Sequence, residues 1–474
     1  MSSDQTAPPS KDAKPKKILP LRERPRRGKD SKWQTPALRA PDGMNARDVA
    51  VSALFSVFVE KRAFDDVFNK AAATRHLEPR DRAFARVIAA TVLRHHGELR
   101  AVISRFLEKP LPEHQGRLEQ ILLSAAAQLL FLQTAPHAAI SLAVDQCRAD
   151  KSAERFAKLT NAVLRRVSDQ GHAILATLDP VALNIPAWLL ARWQATFGTE
   201  VARAIAAASL MEAPLDLTVR SDAAQWADHL GGIALPTGSV RLSGAGRIEE
   251  LSGYDDGAWW VQDAAAALPA KLLGAIAGKD VADLCAAPGG KTAQLAAAGA
   301  RVTAVDKSPG RLNRLKENAT RLGLNVETLV GDASEFAPGR MFDAILIDAP
   351  CTATGTVRRH PDILILKRDE DVAALATLQS RILDGAAASL KPGGTLVYCT
   401  CSLEPEEGAN QIDRFLAGHP EFRRSEIDAA ALGLDPSWLS AAGDLRTLPC
   451  HLADLPAGMT GMDGFFAAKL ERMA

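Results

Sequence analysis

Two rhythms of apolar residues divide the chain. From Asn45 onward apolar side chains recur three and four apart. Ala46, Val49, Ala50, Ala53, Leu54, Val57 and Phe58 fall on one face of a helix that Asn45 is placed to cap. A second helix is predicted from Pro79, with Phe84, Val87, Ile88 and Val92 facing inward and Gly97 as its stop. A third runs through Leu118, Ile121, Leu122, Ala125 and Leu129, and a fourth follows Pro136 with Ile140, Ala143, Val144 and Cys147. A fifth spans Phe156 to Val167. No two-residue alternation interrupts the stretch, so residues 44–178 are expected to form an all-helical domain. The fifth helix ends on Arg165 and Arg166, which would hold RNA backbone, offset the helix dipole or simply face water. His95 and His96 have no partner at metal-ligand spacing and are expected on a solvated surface.

Residues 179–256 are mixed. Ile185–Phe197 has helical spacing, Leu215–Val219 alternates as a strand, and Ser221 is placed to cap the following helix. The stretch is too short for a catalytic core and is expected to be a small α/β docking subdomain. From residue 257 to 474 strands alternate with helices. Strands are predicted at Val281–Cys285, Arg301–Asp306, Val326–Asp332, Phe342–Asp348, Gly394–Cys401 and Gly464–Leu470, with helices at Ser308–Leu322 and Asp371–Leu390 among those between them. That order implies a parallel, doubly wound sheet of Rossmann-like type. Ligands bind such sheets outside the carboxyl ends of the strands, where Cys285, Asp306, Asp332, Asp348 and Cys401 all fall.

Composition adds constraints. A chain of 474 residues holds two or three domains, and 47% hydrophobic with 24% charged residues suits a soluble protein. No run of about eighteen apolar residues offers a membrane span, and the N-terminus lacks the apolar core of a signal peptide. Six cysteines in so long a chain make no disulfide framework, so free thiols in the cytoplasm are expected. The formal net charge of +1 conceals a dense Lys/Arg run within residues 11–32, broken by Pro15, Pro20 and Pro25. Residues 1–43 are therefore expected to be a disordered basic tail, either attracting phosphates regardless of sequence or only solubilising the chain.

The chemistry concentrates in the last domain. Asp283-Leu-Cys-Ala-Ala-Pro-Gly-Gly-Lys-Thr292 is a glycine-containing strand-to-helix turn, yet Cys285 stands where a Walker A loop needs glycine, and Ala286-Ala287-Pro288 breaks a dinucleotide fingerprint. The turn lets backbone approach a ligand closely. Asp306 is placed to accept ribose hydroxyls and Asp332 to hold an adenine edge. An Asp-rich site favours a nucleoside bearing a positive sulfonium over a polyphosphate, so S-adenosyl-L-methionine is the expected cofactor. Downstream, Cys351 follows Asp348-Ala349-Pro350, and Cys401 lies in Thr400-Cys401-Ser402. Such a pair suits a pyrimidine: Cys401 adds to carbon 6, carbon 5 takes a methyl group, Cys351 assists loss of the carbon 5 proton, and Asp348 steadies the ring near N3. The base must be unpaired or flipped out. Cys147, Cys285 and Cys450 are assigned to packing. Cys399 is assigned to the core on the sheet face opposite Cys401. Metal binding by Cys399 and Cys401 lacks further ligands at regular spacing.

Asp348-Ala-Pro-Cys-Thr-Ala-Thr-Gly355, Arg358-Arg-His-Pro-Asp362, Tyr398-Cys-Thr-Cys-Ser402, Pro405-Glu-Glu407 and Gly461-Met-Asp-Gly-Phe-Phe466 together resemble the RNA cytosine-5 methyltransferases. The match is to the bacterial 16S ribosomal RNA cytosine-5 methyltransferase B (Fmu/Sun) family, with a NusB-like N-terminal domain, and it runs from about residue 45 to the end. The resemblance implies a class I methyltransferase fold, Cys401 as nucleophile, and Cys351 as the thiol aiding release. It also implies cofactor contacts from Cys285, Ala286, Ala287, Pro288, Gly289, Gly290 and Lys291, and from Asp306, Asp332 and Asp348. Thr352 stands where serine is common and Cys399 where a small residue is usual. A monomer acting on RNA, 16S ribosomal RNA foremost, without membrane or metal, is expected. Related enzymes act on transfer RNA or other ribosomal cytosines. A non-enzymatic RNA-binding factor and a nucleotide hydrolase using Gly290-Lys291-Thr292 are the competing classes.

Overall fold

The computed structural model of the chain describes residues 43–244 and 246–474, so the basic run of residues 11–32 lies outside the described part. Helices Gly43–Phe58, Phe64–Thr74, Pro79–Arg94, His96–Ser104, Leu118–Leu130, Pro136–Ala149 and Ala157–Leu175 share one core. Leu118–Leu130 is its axis: every residue but Glu119 is buried, as expected for a helix apolar on all sides.

Several local expectations change. Phe64–Thr74 and His96–Ser104 are helices that the periodicity does not flag. Asn45 lies inside the first helix and caps nothing. Val87 is 43% exposed, on the outer side of its helix. Gly97 does not stop a helix but sits in the first turn of the next one, where a β-carbon would lie 1.9 Å from the Leu183 carbonyl oxygen. Only glycine permits that approach. Arg165 and Arg166 lie mid-helix, because the helix runs on to Leu175, so neither meets the dipole end.

The paired histidines are not solvated surface. The His95 ring stacks on Phe131 with centroids 4.1 Å apart and its Nδ1 lies 2.8 Å from Glu98 Oε2. Burial pushes the His96 imidazole down to about 4, while its Nδ1 lies 3.1 Å from the Leu93 carbonyl oxygen. A histidine held neutral stabilises the fold above the unfolded value of 6.5, and that contribution is lost as pH falls toward about 4. His96→Gln should therefore melt closer to the parent protein at acid pH than at neutral pH. Thermal melts across that window check this, and a constant difference would contradict it.

Helices Pro180–Asn184, Ala187–Phe197 and Thr199–Ser209 follow, packing Trp193, Ile205 and Leu210 against Val357, Ile363, Leu364 and Leu403. A four-stranded antiparallel sheet comes next, in the order β2 (Ile233–Ala234), β3 (Ser239–Leu242), β1 (Leu215–Val219), β4 (Trp259–Val261). The helix after β1 is capped by Asp222, whose carboxylate accepts from the amides of Ala224 and Gln225, and not by Ser221. The buried Arg241 guanidinium makes two 2.7 Å bonds to the Asp216 carboxylate and two 2.6 Å bonds to the carbonyls of Met459 and Gly461. The small sheet is thereby tied to the C-terminal segment.

The large sheet carries the strands β5 (Asp280–Leu284), β6 (Arg301–Asp306), β7 (Val326–Val330), β8 (Phe342–Asp348), β9 (Leu390–Thr400), β10 (Phe422–Arg424), β11 (Leu445–Thr447) and β12 (Phe465–Arg472). Its order is β10-β12-β9-β8-β5-β6-β7, with β11 also on β12. The strands from β7 to β9 pair in parallel, while β12 runs antiparallel to β9 and to β10 and β11. The doubly wound expectation holds with that antiparallel edge added. Order reverses between β5 and β8, and the crevice outside their carboxyl ends is where ligands bind in such sheets.

Candidate active site

The loop after β5 is bent from its first residue. Cys285 has φ 61, in the left-handed region that non-glycine residues rarely occupy, and Gly289 has φ 104. A β-carbon on Gly289 would lie 2.7 Å from Leu315 Cγ, so glycine lets the loop pack on the helix Pro309–Arg321. The Ala286 amide donates to the Val305 carbonyl at 3.0 Å, and the Ala287 amide to Asp306 Oδ2 at 3.2 Å. Asp306 Oδ1 accepts the Ser308 amide at 2.9 Å. Asp306 thus ties the loop and the end of β6 into one wall.

A narrow cleft of about 60 Å³ opens there, lined by Cys285, Asp306, Lys307, Arg311 and Asp332 on its polar side and by Pro350, Leu378 and Ile382 on its apolar side. Leu378 and Ile382 come from the helix Asp369–Ala388. They carry no motif, and only their spacing along that helix would have singled them out. The hydrogen bonds from Ser334, backbone first, hold the Asp332 carboxyl below its ordinary range. Asp283, fully buried under the loop, accepts Thr292 Oγ1 at 2.5 Å on one oxygen and has no partner on the other. Burial lifts its carboxyl to about 7. Asp306 and Asp332 at successive strand ends offer hydrogen-bond acceptors opposite an apolar wall of Pro350, Leu378 and Ile382, a lining that fits a nucleoside.

Lys291 and Asp348 are not part of that lining. Lys291 Nζ donates to Asp348 Oδ2 at 2.8 Å and sits 4.8 Å from the centre of the Phe465 ring. Burial alone would depress the ammonium, but Asp348 holds it above its ordinary value. The pair stands beside the thiols, where it can orient the polar edge of a base.

The structure brings Cys351 and Cys401 together: their Sγ atoms are 3.5 Å apart, and both are half-buried. The Gly355 amide donates to the Cys401 carbonyl at 2.9 Å and the Ala349 amide to the Cys399 carbonyl at 2.9 Å, stitching the loop after β8 to the end of β9. Cys399 does not lie on the opposite face from Cys401. Strand side chains alternate with period two, and both thiols belong to one core cluster while Tyr398 faces the other. Cys399 Sγ lies 3.6 Å from Asp348 Oδ1, and burial together with that carboxylate pushes its thiol well up. Cys285 is also pushed up, to about 12, by burial and by Asp348 and Asp306. Both are therefore protonated thiols at neutral pH. Cys147 is buried against Thr160 Oγ1 at 3.2 Å, and Cys450 packs beside the helices of residues 180–209.

Comparison with known proteins decides the family. Residues 270–471 match the 16S rRNA methyltransferases RsmB/F, and residues 44–169 match the NusB family. The Ribosomal RNA small subunit methyltransferase B of Vibrio cholerae is 35% identical over 447 residues, covering 90% of this chain and 98% of its own length. That of Pseudomonas syringae is 37% identical over 455 residues, covering 91% and 98%. The chain belongs to the RsmB/F family. It is an RNA methyltransferase with a NusB-like helical region and a class I methyltransferase sheet. The crystal structure of PH0851 shares this fold over 92% of the chain and 100% of its own, with a TM-score of 0.68 at 24% identity. NSun6 from Pyrococcus horikoshii with SFG shares it over 61% of the chain and 99% of its own, at 0.50 and 22%. The helices of this RsmB/F member are each too short or too polar to cross a membrane, among the described residues.

Proposed function

We propose that the chain methylates carbon 5 of a cytosine in 16S ribosomal RNA with S-adenosyl-L-methionine as donor, through a covalent adduct on Cys401. The observation that carries this reading is the pair of thiols 3.5 Å apart beside the Lys291–Asp348 ion pair, in a domain whose strand ends also form a cleft suited to a nucleoside. Cys285, Asp306 and Asp332 would hold the donor, which supplies an electrophilic methyl group.

Cys401 attacks carbon 6, breaking the ring's 5,6 double bond and making carbon 5 nucleophilic. The negative charge that addition puts on N3 is neutralised by a proton, and Asp348, oriented by Lys291, is the carboxyl placed to pass that proton to N3. After methylation the carbon 5 proton must leave and the carbon–sulfur bond must break. Cys351, in contact with the Cys401 sulfur, is the group placed to assist that elimination. Asp348→Asn, which keeps shape but cannot pass a proton, should slow single-turnover methylation about a hundred-fold. An unchanged rate would remove Asp348 from the mechanism.

The curated relatives carry small-subunit ribosomal RNA in their names, which favours that substrate over transfer RNA. Bisulfite sequencing of ribosomal and transfer RNA from a strain lacking the chain tests this. One 16S cytosine should lose its methyl group, and loss confined to transfer RNA would overturn the assignment.

A further inference from the structure

A buried aspartate at the start of one helix does its capping for another. Asp362 precedes the short helix Ile363–Leu366, yet its side chain makes no capping bond to that helix. An aspartate so placed ordinarily accepts from the first free amides of its own helix. Asp362 Oδ2 instead accepts the Phe64 amide at 3.0 Å. Phe64 opens the helix Phe64–Thr74 of the NusB-like region, and the residue before it, Ala63, offers no side-chain cap. Asp362 belongs to the residues that match RsmB/F, and Phe64 to those that match NusB. The methyltransferase region thus supplies the cap that a helix of the other region lacks.

The neighbours of Asp362 face the same way. Arg94 Nη2, at the end of the helix Pro79–Arg94, donates to the Arg358 carbonyl at 3.0 Å. His360 Nδ1 lies 3.5 Å from Asp65 Oδ2, in the first turn of the capped helix. Ile365 and Leu366 pack on the core of the helical region, while Ile363 and Leu364 join the cluster of Val181, Trp193 and Leu403. The other side of the segment is bonded toward the thiols. Arg358 Nη2 donates to the Thr460 carbonyl at 2.7 Å, and Arg359 pairs with Asp463. The Gly464 amide donates to the Gly355 carbonyl at 2.8 Å, and the Gly355 amide holds the Cys401 carbonyl. A β-carbon on Gly355 would lie 2.0 Å from the Gly464 carbonyl oxygen, so glycine is what lets the two segments meet. Residues 358–366 are therefore bonded to the helical region on one side and to the backbone beside Cys401 on the other.

We propose that residues 358–366 dock the NusB-like region on the methyltransferase region, with Asp362 as a positioning residue that caps the helix Phe64–Thr74 from outside. The dock fixes how far RNA held on the helical region lies from the thiols, so RNA binding does not have to order the two regions against each other. This deepens the reading above and rests on the helical region holding part of the RNA. Asp362 acts as a hydrogen-bond acceptor and touches neither the reacting base nor the cofactor.

The test is amide hydrogen exchange of the full chain without RNA or cofactor, read at single residues by mass spectrometry with electron-transfer fragmentation. In the parent protein the Phe64 amide should be protected, although the first amides of a helix have no partner within it. Exchange there as fast as in an open chain would overturn the proposal. Asp362→Ala should speed exchange at Phe64 by about fivefold or more, across 298 residues of chain. Asp362→Asn keeps a side-chain oxygen that can accept the amide and should stay close to the parent. Unmoved exchange in Asp362→Ala, or equal acceleration in both variants, would overturn the cap. Should Asp362→Ala fail to fold, protection in the parent and the Asp362→Asn result still decide. The second readout is steady-state methylation of small-subunit RNA. Asp362→Ala should raise the KM for RNA about fivefold with kcat little changed, and Asp362→Asn should restore it. A fall in kcat with KM unmoved would place Asp362 in the chemistry and end its positioning role. Faster exchange with both constants unmoved would overturn the reading that the helical region holds RNA, whereas unmoved exchange overturns the dock itself.

Discussion

Cys401→Ala should reduce methyl transfer by about ten-thousand-fold or more, because no other group in the site can form the carbon–sulfur bond that activates carbon 5. Cys399 is the nearest rival on the same strand face, but its sulfur is fully buried and turned to Asp348 at 3.6 Å. Cys351 lies on the loop after β8, with its thiol pushed well up first by its contact with Cys401 and then by burial. The fold should survive, since Cys401 is half-buried at a strand end and alanine removes one sulfur atom. Cofactor affinity should also survive, because the cleft is lined by Cys285, Asp306 and Asp332 and not by Cys401. Methyl incorporation from labelled S-adenosyl-L-methionine, beside cofactor binding by calorimetry, separates these effects. Activity within tenfold of the parent would remove Cys401 from the nucleophile's role.

Cys351→Ala should give the opposite signature: product formation slows steeply while a covalent RNA–protein adduct accumulates. The adduct forms because Cys401 keeps its attack, and it persists because the sulfur 3.5 Å away that assists elimination is gone. A band surviving a denaturing gel, dependent on both RNA and S-adenosyl-L-methionine and absent in the Cys351→Ala/Cys401→Ala double variant, is the readout. Normal release by Cys351→Ala would show that another base takes the carbon 5 proton.

The sequence was most legible where burial is two-sided. Arg301–Asp306 and Phe342–Asp348 are strands to the residue, because parallel strands covered on both faces leave short, mostly apolar runs, here broken only by Thr303 and Asp343 and ended by an aspartate. Short helices were opaque: Phe64–Thr74 mixes Asp65, Asp66 and Lys70 with its apolar residues, and His96–Ser104 opens on His-Gly. The active-site motifs named the thiols and Asp348 but not their mutual geometry. The role of Lys291 toward Asp348 spans 57 residues, and the grip of Glu407 on Thr352 spans 55. No local pattern encodes contacts of that range. The misplacement of Cys399 is different in kind, since period-two alternation already puts it on the face of Cys401.

The central claim is that methylation occurs at carbon 5 through addition at carbon 6, and the most direct measurement is tritium release from small-subunit RNA labelled at carbon 5 of cytosine. Incubated with the chain and S-adenosyl-L-methionine, the RNA should release tritium to water in an amount equal to the methyl groups incorporated. Methyl incorporation without tritium release would place the methyl on another atom and contradict the account.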